Sequence, residues 1–388
     1  SAGFNMRLYS YINNFKDLLP DENGQLKKRV ILKVSDYRSA LIQGKFLAKN
    51  GIWVSEFRIE SGLNCGGHAF ISPNGLLGPI LEEFKNKKEA MAEQLLKLCN
   101  NALKKNNTNL LTEGSIPLIT VQGGIGTSDE ANFLRRYYNV DATGWASPFL
   151  LVPEAVVIDD ENLKLLISPE RKLYLSGISP IGIPFNTIRN TKSEQNKLAN
   201  INSGTPGSPC PKGFLSFSQE LSKNPICLAS KLYQKLKIAQ LKSLNLKKEE
   251  FTDAYKKIVE KVCLCEDLAA SFFLKYKIPF KRQLNPAVCP GPNLAYFSKI
   301  CSLKEMIDHI YGRISVLNDL PRPHVFMNEL KLNIDYYIKE VKQSLPELSQ
   351  KQVKYLNEFK QSISDGIEYY KKIIPEITEE AKDFQQNM

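Results

Sequence analysis

Between residues 28 and 160 the chain repeats one pattern: a short β-branched run, a turn, then apolar residues at helical spacing. Residues 29–34 (Arg-Val-Ile-Leu-Lys-Val) read as a strand. Residues 35–50 read as a helix capped by Ser35 or Asp36, with Leu41, Phe46 and Leu47 inside it. Residues 52–59 form the next strand. Residues 79–101 form the next helix, marked by Ile80, Phe84, Met91 and Leu95. Residues 116–121 are a third strand, short and β-branched as a strand covered on both faces should be. A helix at 130–138 and a fourth strand with its exit loop at 141–151 complete the series. Successive β and α elements at this spacing predict a parallel sheet with right-handed crossovers. Glycines follow the strands, at the ends where α/β folds bind ligands.

Two of these glycine turns carry chemistry. The first is Asn64-Cys-Gly-Gly-His68. It holds one of only three histidines in the chain, the others being His309 and His324. A glycine pair lets the backbone take φ > 0 or approach a ligand closely. A histidine beside it can give or take a proton near neutral pH. The plain alternative is a tight turn with a satisfied histidine. The second turn, Gln122-Gly-Gly-Ile-Gly-Thr-Ser128, favours the functional reading. It leads from a strand into a helix that Thr127 or Ser128 can cap, with Asp129 and Glu130 suited to its first turn. Free N–H groups and the helix dipole make such a turn an anion site.

The chain has 388 residues, 43% hydrophobic and 24% charged, with net charge +11. This is a globular composition sufficient for roughly two or three domains. No apolar run approaches the ~20 residues needed to span a bilayer. There is no signal-peptide pattern, and the start, Ser1-Ala-Gly-Phe-Asn, reads as a cut or processed end. The excess lysine alternates with glutamate at helical spacings in the C-terminal half. It reads as solvated helix faces, and no nucleic-acid module is present. A cytoplasmic protein with reduced thiols is expected.

The order of residues 30–34, 50–60, Cys65-Gly-Gly-His68, Ile116-Pro-Leu-Ile-Thr-Val-Gln-Gly-Gly-Ile125 and Val140-Asp-Ala-Thr-Gly-Trp-Ala-Ser-Pro-Phe149 resembles a known family. It looks like the later half of the FMN-dependent TIM barrel of nitronate monooxygenases and their enoyl-reductase relatives. The resemblance covers about 130 of the 388 residues. It implies that His68 transfers a proton and that Gly66 and Gly67 line the flavin edge. It also implies that Gly123, Gly124 and Ile125 hold the FMN phosphate, joined by Gly144 and Trp145. Cys65 stands where the family has alanine. Lys33 and Arg58, on strand-like runs, read either as facing the barrel interior or as strand-end surface residues. The implied activity is a flavin-dependent oxidation or reduction of a small or acyl-type substrate. Only about four of the eight strands of such a barrel are visible, so its first half is missing or comes from a partner chain.

The expected architecture is therefore α/β. A partial TIM-barrel-like region (1–160) lacks its first strands. An irregular Cys/Pro/Gly-rich connecting or lid segment follows (161–235), then an α-helical domain (236–388). Within the last, Phe251, Tyr255, Ile258, Val262, Cys265, Ala269 and Phe272 form one stripe. Ser349 and Gln352 have capping-box spacing before another.

The eight cysteines offer a second constellation. Cys210 and Cys289 each precede a proline in a glycine-containing loop, with Cys227, Cys263 and Cys265 between them. Four thiolates from these five could hold an iron–sulfur cluster. Zinc is disfavoured by the lack of paired Cys-x2-Cys spacing. Cys99 and Cys301 read as structural, and His309 and His324 as structural or surface residues. Arg189 reads either as a residue covering an active site or as an ordinary loop arginine. Two alternatives to a flavin enzyme stay open: a non-catalytic scaffold or subunit built on a degenerate half-barrel, and an iron–sulfur electron-transfer module.

Overall fold

The alternating pattern of residues 28–160 folds as an open parallel sheet. The computed structural model describes residues 6–71, 73–344 and 348–377. The expectations for the first five residues, and for the end of the helical region after 377, lie outside the described residues. In chain order the elements begin with α1 (Met6–Ile12), β1 (Val30–Val34), α2 (Tyr37–Lys49), β2 (Val54–Glu60) and β3 (Gly67–His68). Then come α3 (Leu77–Lys105), β4 (Leu118–Gln122), α4 (Ser128–Tyr138), β5 (Ala142–Gly144), α5 (Asp160–Ile167), β6 (Leu173–Ser176) and β7 (Phe185–Ile188). The remaining helices are α6 (Lys192–Asn202), α7 (Lys231–Ser243), α8 (Lys248–Val259), α9 (Leu264–Asp267), α10 (Ala270–Lys275), α11 (Leu303–Ile310), α12 (Val325–Ser344) and α13 (Gln350–Ile373). No helix among the described residues is long and apolar enough to cross a membrane.

The chain forms two compact units. The first comprises Ser1–Leu63, Ile71–Trp145 and Pro321–Met388; the second comprises Asn64–Phe70 and Ala146–Leu320.

The first unit holds the parallel sheet, in the order β1-β2-β4-β5. Period-two alternation sends Leu32, Val34, Phe57, Ile59, Ile119 and Val121 to a buried face. That face shares a core with Leu47, Phe84, Leu95 and Leu134 of the helices. The register aligns Lys33, Arg58 and Thr120 on the opposite face. There Lys33 pairs with Glu60 at 2.5 Å, and Arg58 with Glu56 at 2.7 Å. Thr120 donates to Glu56 at 2.6 Å and Gln122 to Glu60 at 2.8 Å. Lys33 is thus committed to a carboxylate on the neighbouring strand and Arg58 to one on its own. The third strand is covered on both faces at its centre, by burial of Thr120 as well as Ile119 and Val121, while its first residue, Leu118, is 41% exposed. β1 and β5 are the edges of this sheet, and barrel closure does not occur among the described residues.

The C-terminal helices complete the first unit's core. Val325, Phe326, Tyr370 and Ile373 are buried in it, with Phe326 stacked on Tyr370 at 4.9 Å. Ser349 and Gln352 form the expected capping box of α13. α3 begins without a side-chain cap of its own. Its first N–H, at Leu77, donates instead to Glu329 Oε2 at 2.6 Å, and Gly62 N–H donates to Glu329 Oε1 at 2.7 Å. A carboxylate from α12 therefore caps a helix that starts some 250 residues earlier. Burial raises the Glu329 carboxyl to about 7, against the lowering effect of those two N–H donors. Because the folded value lies above the unfolded one, this group contributes most below about pH 4.3, and the contribution is lost as pH rises through about 7. Urea titrations across that window should show a shallower pH slope for Glu329→Gln than for the unmodified protein.

The second unit overturns two expectations. The segment expected to be irregular contains β6, β7 and α6. β7 is central in an antiparallel sheet of order β3-β7-β6. The single helical stripe expected over 251–272 is broken into α8, α9 and α10. Residues 260–262 leave the helix to pair with residues 177–178. Glu260 accepts from Gly177 N–H at 2.8 Å, Lys261 donates to Gly177 O at 2.5 Å, and Val262 N–H donates to Ile178 O at 3.1 Å.

Candidate functional site

His68 lies on β3, a two-residue strand paired with β7 so that His68 faces Phe185 and Gly67 faces Asn186. The turn before it is built by Asn64, which is buried in the left-handed region at φ 46°. Its Oδ1 accepts from Gly66 N–H at 2.7 Å, a local Asx turn, and from Asn186 Nδ2 at 3.1 Å. Its Nδ2 donates to His68 O at 3.0 Å. Gly66 (φ 116°) and Gly67 (φ 73°) need the freedom only glycine has. A Cβ on Gly66 would stand 2.1 Å from Cys289 O. Cys289 thus belongs to this turn: the loop that carries it also places Gly291 N–H on Ser147 Oγ at 3.0 Å, and Ser147 donates to Cys65 O at 3.0 Å.

The half-buried His68 ring is held on two sides. Its Nε2 lies 2.7 Å from Ser179 Oγ, a fully buried hydroxyl. Phe185 meets the ring edge-on with centroids 4.9 Å apart. A hydroxyl can donate or accept, so Ser179 can both fix the imidazole plane and exchange a proton at Nε2. Sequence reading missed Ser179, Phe185 and Asn186, which come from a segment read as irregular, and Ser147, which comes from the exit loop of the fourth strand. Asn64 carried a legible signal, an asparagine two residues before a glycine pair.

The residues expected to hold the flavin phosphate lie in the first unit. Gly123 (φ 98°) and Gly124 (φ 82°) follow β4 directly, and Thr127 caps α4 by accepting from Glu130 N–H at 3.2 Å. A Cβ on Gly124 would collide with Leu63 at 2.3 Å. The turn is braced by groups the sequence reading did not connect. Arg322 donates to Gly124 O at 2.7 Å and to both oxygens of Glu130, at 2.6 and 2.9 Å. Glu130 also accepts from Gly126 N–H at 2.9 Å and Val325 N–H at 2.7 Å. Burial pushes the Glu130 carboxyl up, but Arg322, His324 and these donors outweigh it and hold it below the usual carboxylate range. Gly144, on β5, sits against Gln122, and half-buried Trp145 packs against the core.

Four of the five candidate metal-binding cysteines line one apolar cavity of about 10 Å³: Cys210, Cys227, Cys263 and Cys265. Cys289 is not among its lining residues. Among the described residues no group of three or more His, Cys, Asp or Glu side chains is placed to hold a metal ion. A space of this size takes about one water, not an iron–sulfur core. The donor set as folded fits neither group.

Elsewhere, Arg189 pairs with Glu194 at 2.6 Å and stacks 3.8 Å over Tyr174. His309 and His324 are buried, and each accepts a backbone N–H at Nδ1. Cys99 and Cys301 are buried, as structural thiols should be.

No family model matches the chain, and no curated protein matches its sequence. Among solved structures it is similar to the enoyl reductase domain of MlnA from the macrolactin biosynthesis cluster of Bacillus amyloliquefaciens. That match has 16% identity and a TM-score of 0.37, covering 93% of this chain and 74% of that one. It is also similar to a nitroalkane oxidase from Streptomyces ansochromogenes. Here identity is 13% and the TM-score 0.24, covering 42% of this chain and 40% of that one. At these overlaps the likenesses stand as likenesses only.

Proposed function

We propose that the chain is a flavin-dependent oxidoreductase, with FMN as cofactor and His68 as the proton-transfer residue. The observation that carries this reading is the His68–Ser179 pair at 2.7 Å, held at the end of a glycine pair by a buried Asn64–Asn186 scaffold. The Gly123-Gly124-Ile125 turn fits a phosphate by donor chemistry, with consecutive left-handed glycines between a parallel strand and a capped helix. The flavin would supply the hydride or electron transfer. The chain's own contribution is to bind the phosphate, orient the imidazole through Ser179, and hold or release a proton at Nε2. The substrate class expected is small or acyl-type.

Reconstitution tests it. Protein incubated with FMN should retain it through gel filtration. His68→Ala should keep the flavin but lose about 10²- to 10⁴-fold in turnover of an enoyl thioester or nitronate, the range for general acid–base catalysis. Ser179→Ala should lose less and shift the pH profile of kcat, because it removes the partner at Nε2. Protein that stays colourless after incubation with FMN refutes the proposal.

A further inference from the structure

The cysteine cavity has no role in the proposed flavin chemistry, yet it is a built feature. Cys210 is exposed and Cys227 buried. Their segments are tied by backbone bonds on both sides of the pair. Ser208 N–H donates to Ala229 O at 2.8 Å and Lys231 N–H to Ser208 O at 3.0 Å. Across the intervening loop, Ser218 and Ile226 exchange bonds at 3.1 and 2.8 Å. These ties bring both cysteines to the wall of the same small cavity, where Cys210 Sγ also lies 3.7 Å from Ser216 Oγ. A solvent-reachable cysteine and a buried one on the same cavity wall give a first-oxidised thiol a resolving partner.

The cavity also adjoins the histidine's support. Pro180 lines it, and the preceding residue, Ser179, holds His68 Nε2. Val262 N–H binds Ile178 O at 3.1 Å, so the segment leading to Cys263 is tied to the segment leading to Ser179.

We propose that Cys210 and Cys227 form a reversible disulfide on exposure to peroxide, a modification site that alters how Ser179 holds His68. The Cys210 thiolate attacks one peroxide oxygen and the O–O bond breaks. Hydroxide leaves and takes a proton to become water, and Cys210 becomes a sulfenic acid. The Cys227 sulfur then attacks Cys210 sulfur, forming the S–S bond and releasing a second water. The thiol pair loses two electrons and the peroxide gains them. An external dithiol reverses the reaction by exchange, ending as its own disulfide. Burial pushes the Cys227 thiol up to about 11 and Cys263 up to about 12. Closure is therefore slow at neutral pH and speeds up as pH rises, because the thiolate is the attacking form. The disulfide does not depend on the flavin reading.

The test uses the full chain. Reduced protein is treated with hydrogen peroxide, remaining thiols are alkylated, and digests are mapped by mass spectrometry. The expected result is a linked peptide pair joining Cys210 to Cys227, formed faster at higher pH and removed by dithiothreitol. The side-chain NMR signal of His68 should shift between the reduced and oxidised forms. Over-oxidation of Cys210 while Cys227 stays alkylatable overturns the pair, as does stoichiometric iron or zinc shielding these cysteines in protein as isolated. An unchanged His68 signal in the linked protein overturns the coupling. The mapping needs no variant, so it is immune to misfolding of a cysteine mutant; Cys210→Ser, at the exposed position, should abolish the link.

Discussion

Replacing Arg322 with leucine should destabilise the first unit by about 3–5 kcal/mol, the cost of leaving a buried carboxylate without its partner. Arg322 and Glu130 side chains are 7% and 1% exposed, so no water can substitute for the lost guanidinium. The same change frees Gly124 O, which Arg322 holds at 2.7 Å, and should loosen the glycine turn. Urea denaturation measures the first effect and FMN retention the second. The pH dependence has a defined sign. Glu130's folded value lies below its unfolded one, so its contribution is present above about pH 4.3 and is lost as pH falls through the folded value. Arg322→Leu should therefore flatten the acid limb of the stability curve. Adding Glu130→Gln should recover part of the loss, because it removes the stranded charge. A single-variant cost below about 1 kcal/mol would place the pair among exposed, weakly contributing bridges instead.

Gly66→Ala should be nearly as severe, at about 3 kcal/mol, since it combines an unfavourable φ with overpacking against backbone. The new Cβ would stand 2.1 Å from Cys289 O, and neither atom is the end of a flexible side chain. Gly182→Ala is the control. It shares a positive φ, 76°, but meets nothing within 4 Å, so it should cost only the backbone term, roughly 1–2 kcal/mol. Thermal melts of the two variants separate contact from conformation. Gly66→Ala should also lose turnover well beyond its stability deficit, because the turn sets where β3 and His68 lie.

The parallel sheet was legible in sequence because strand and helix periods differ and each element repeats its own: Val34, Ile59 and Val121 fall on one face without help from distant residues. Thr127, Ser349 and Gln352 were legible because caps are local. The environment of His68 was not. Ser179 lies 111 residues away on a segment rich in proline and glycine, where no periodicity announces a strand, and β7 is only four residues long. Nor could spacing show that Glu130 and Glu329 are satisfied by residues nearly 200 and more than 250 positions distant. Cys265 fitted a helical stripe by count, but the helix ends at Val259, where pairing with residues 177–178 competes with helix propagation. Cys289 was grouped with the other cysteines by its Cys-Pro neighbour, whereas its carbonyl serves the glycine turn.

The cap on α3 has a consequence for synthesis. The helix begins at Leu77, yet the carboxylate that completes its N-terminus belongs to residue 329, and the aromatic pair Phe326–Tyr370 closes the same core. On the ribosome, the parallel sheet and its helices emerge long before the residues that seal them. The first unit must wait, incompletely packed, while the whole second unit is translated. The nascent chain is then open to chaperones and proteases over that interval, and a truncation ending before Val325 should yield insoluble or degraded protein rather than an isolated sheet domain.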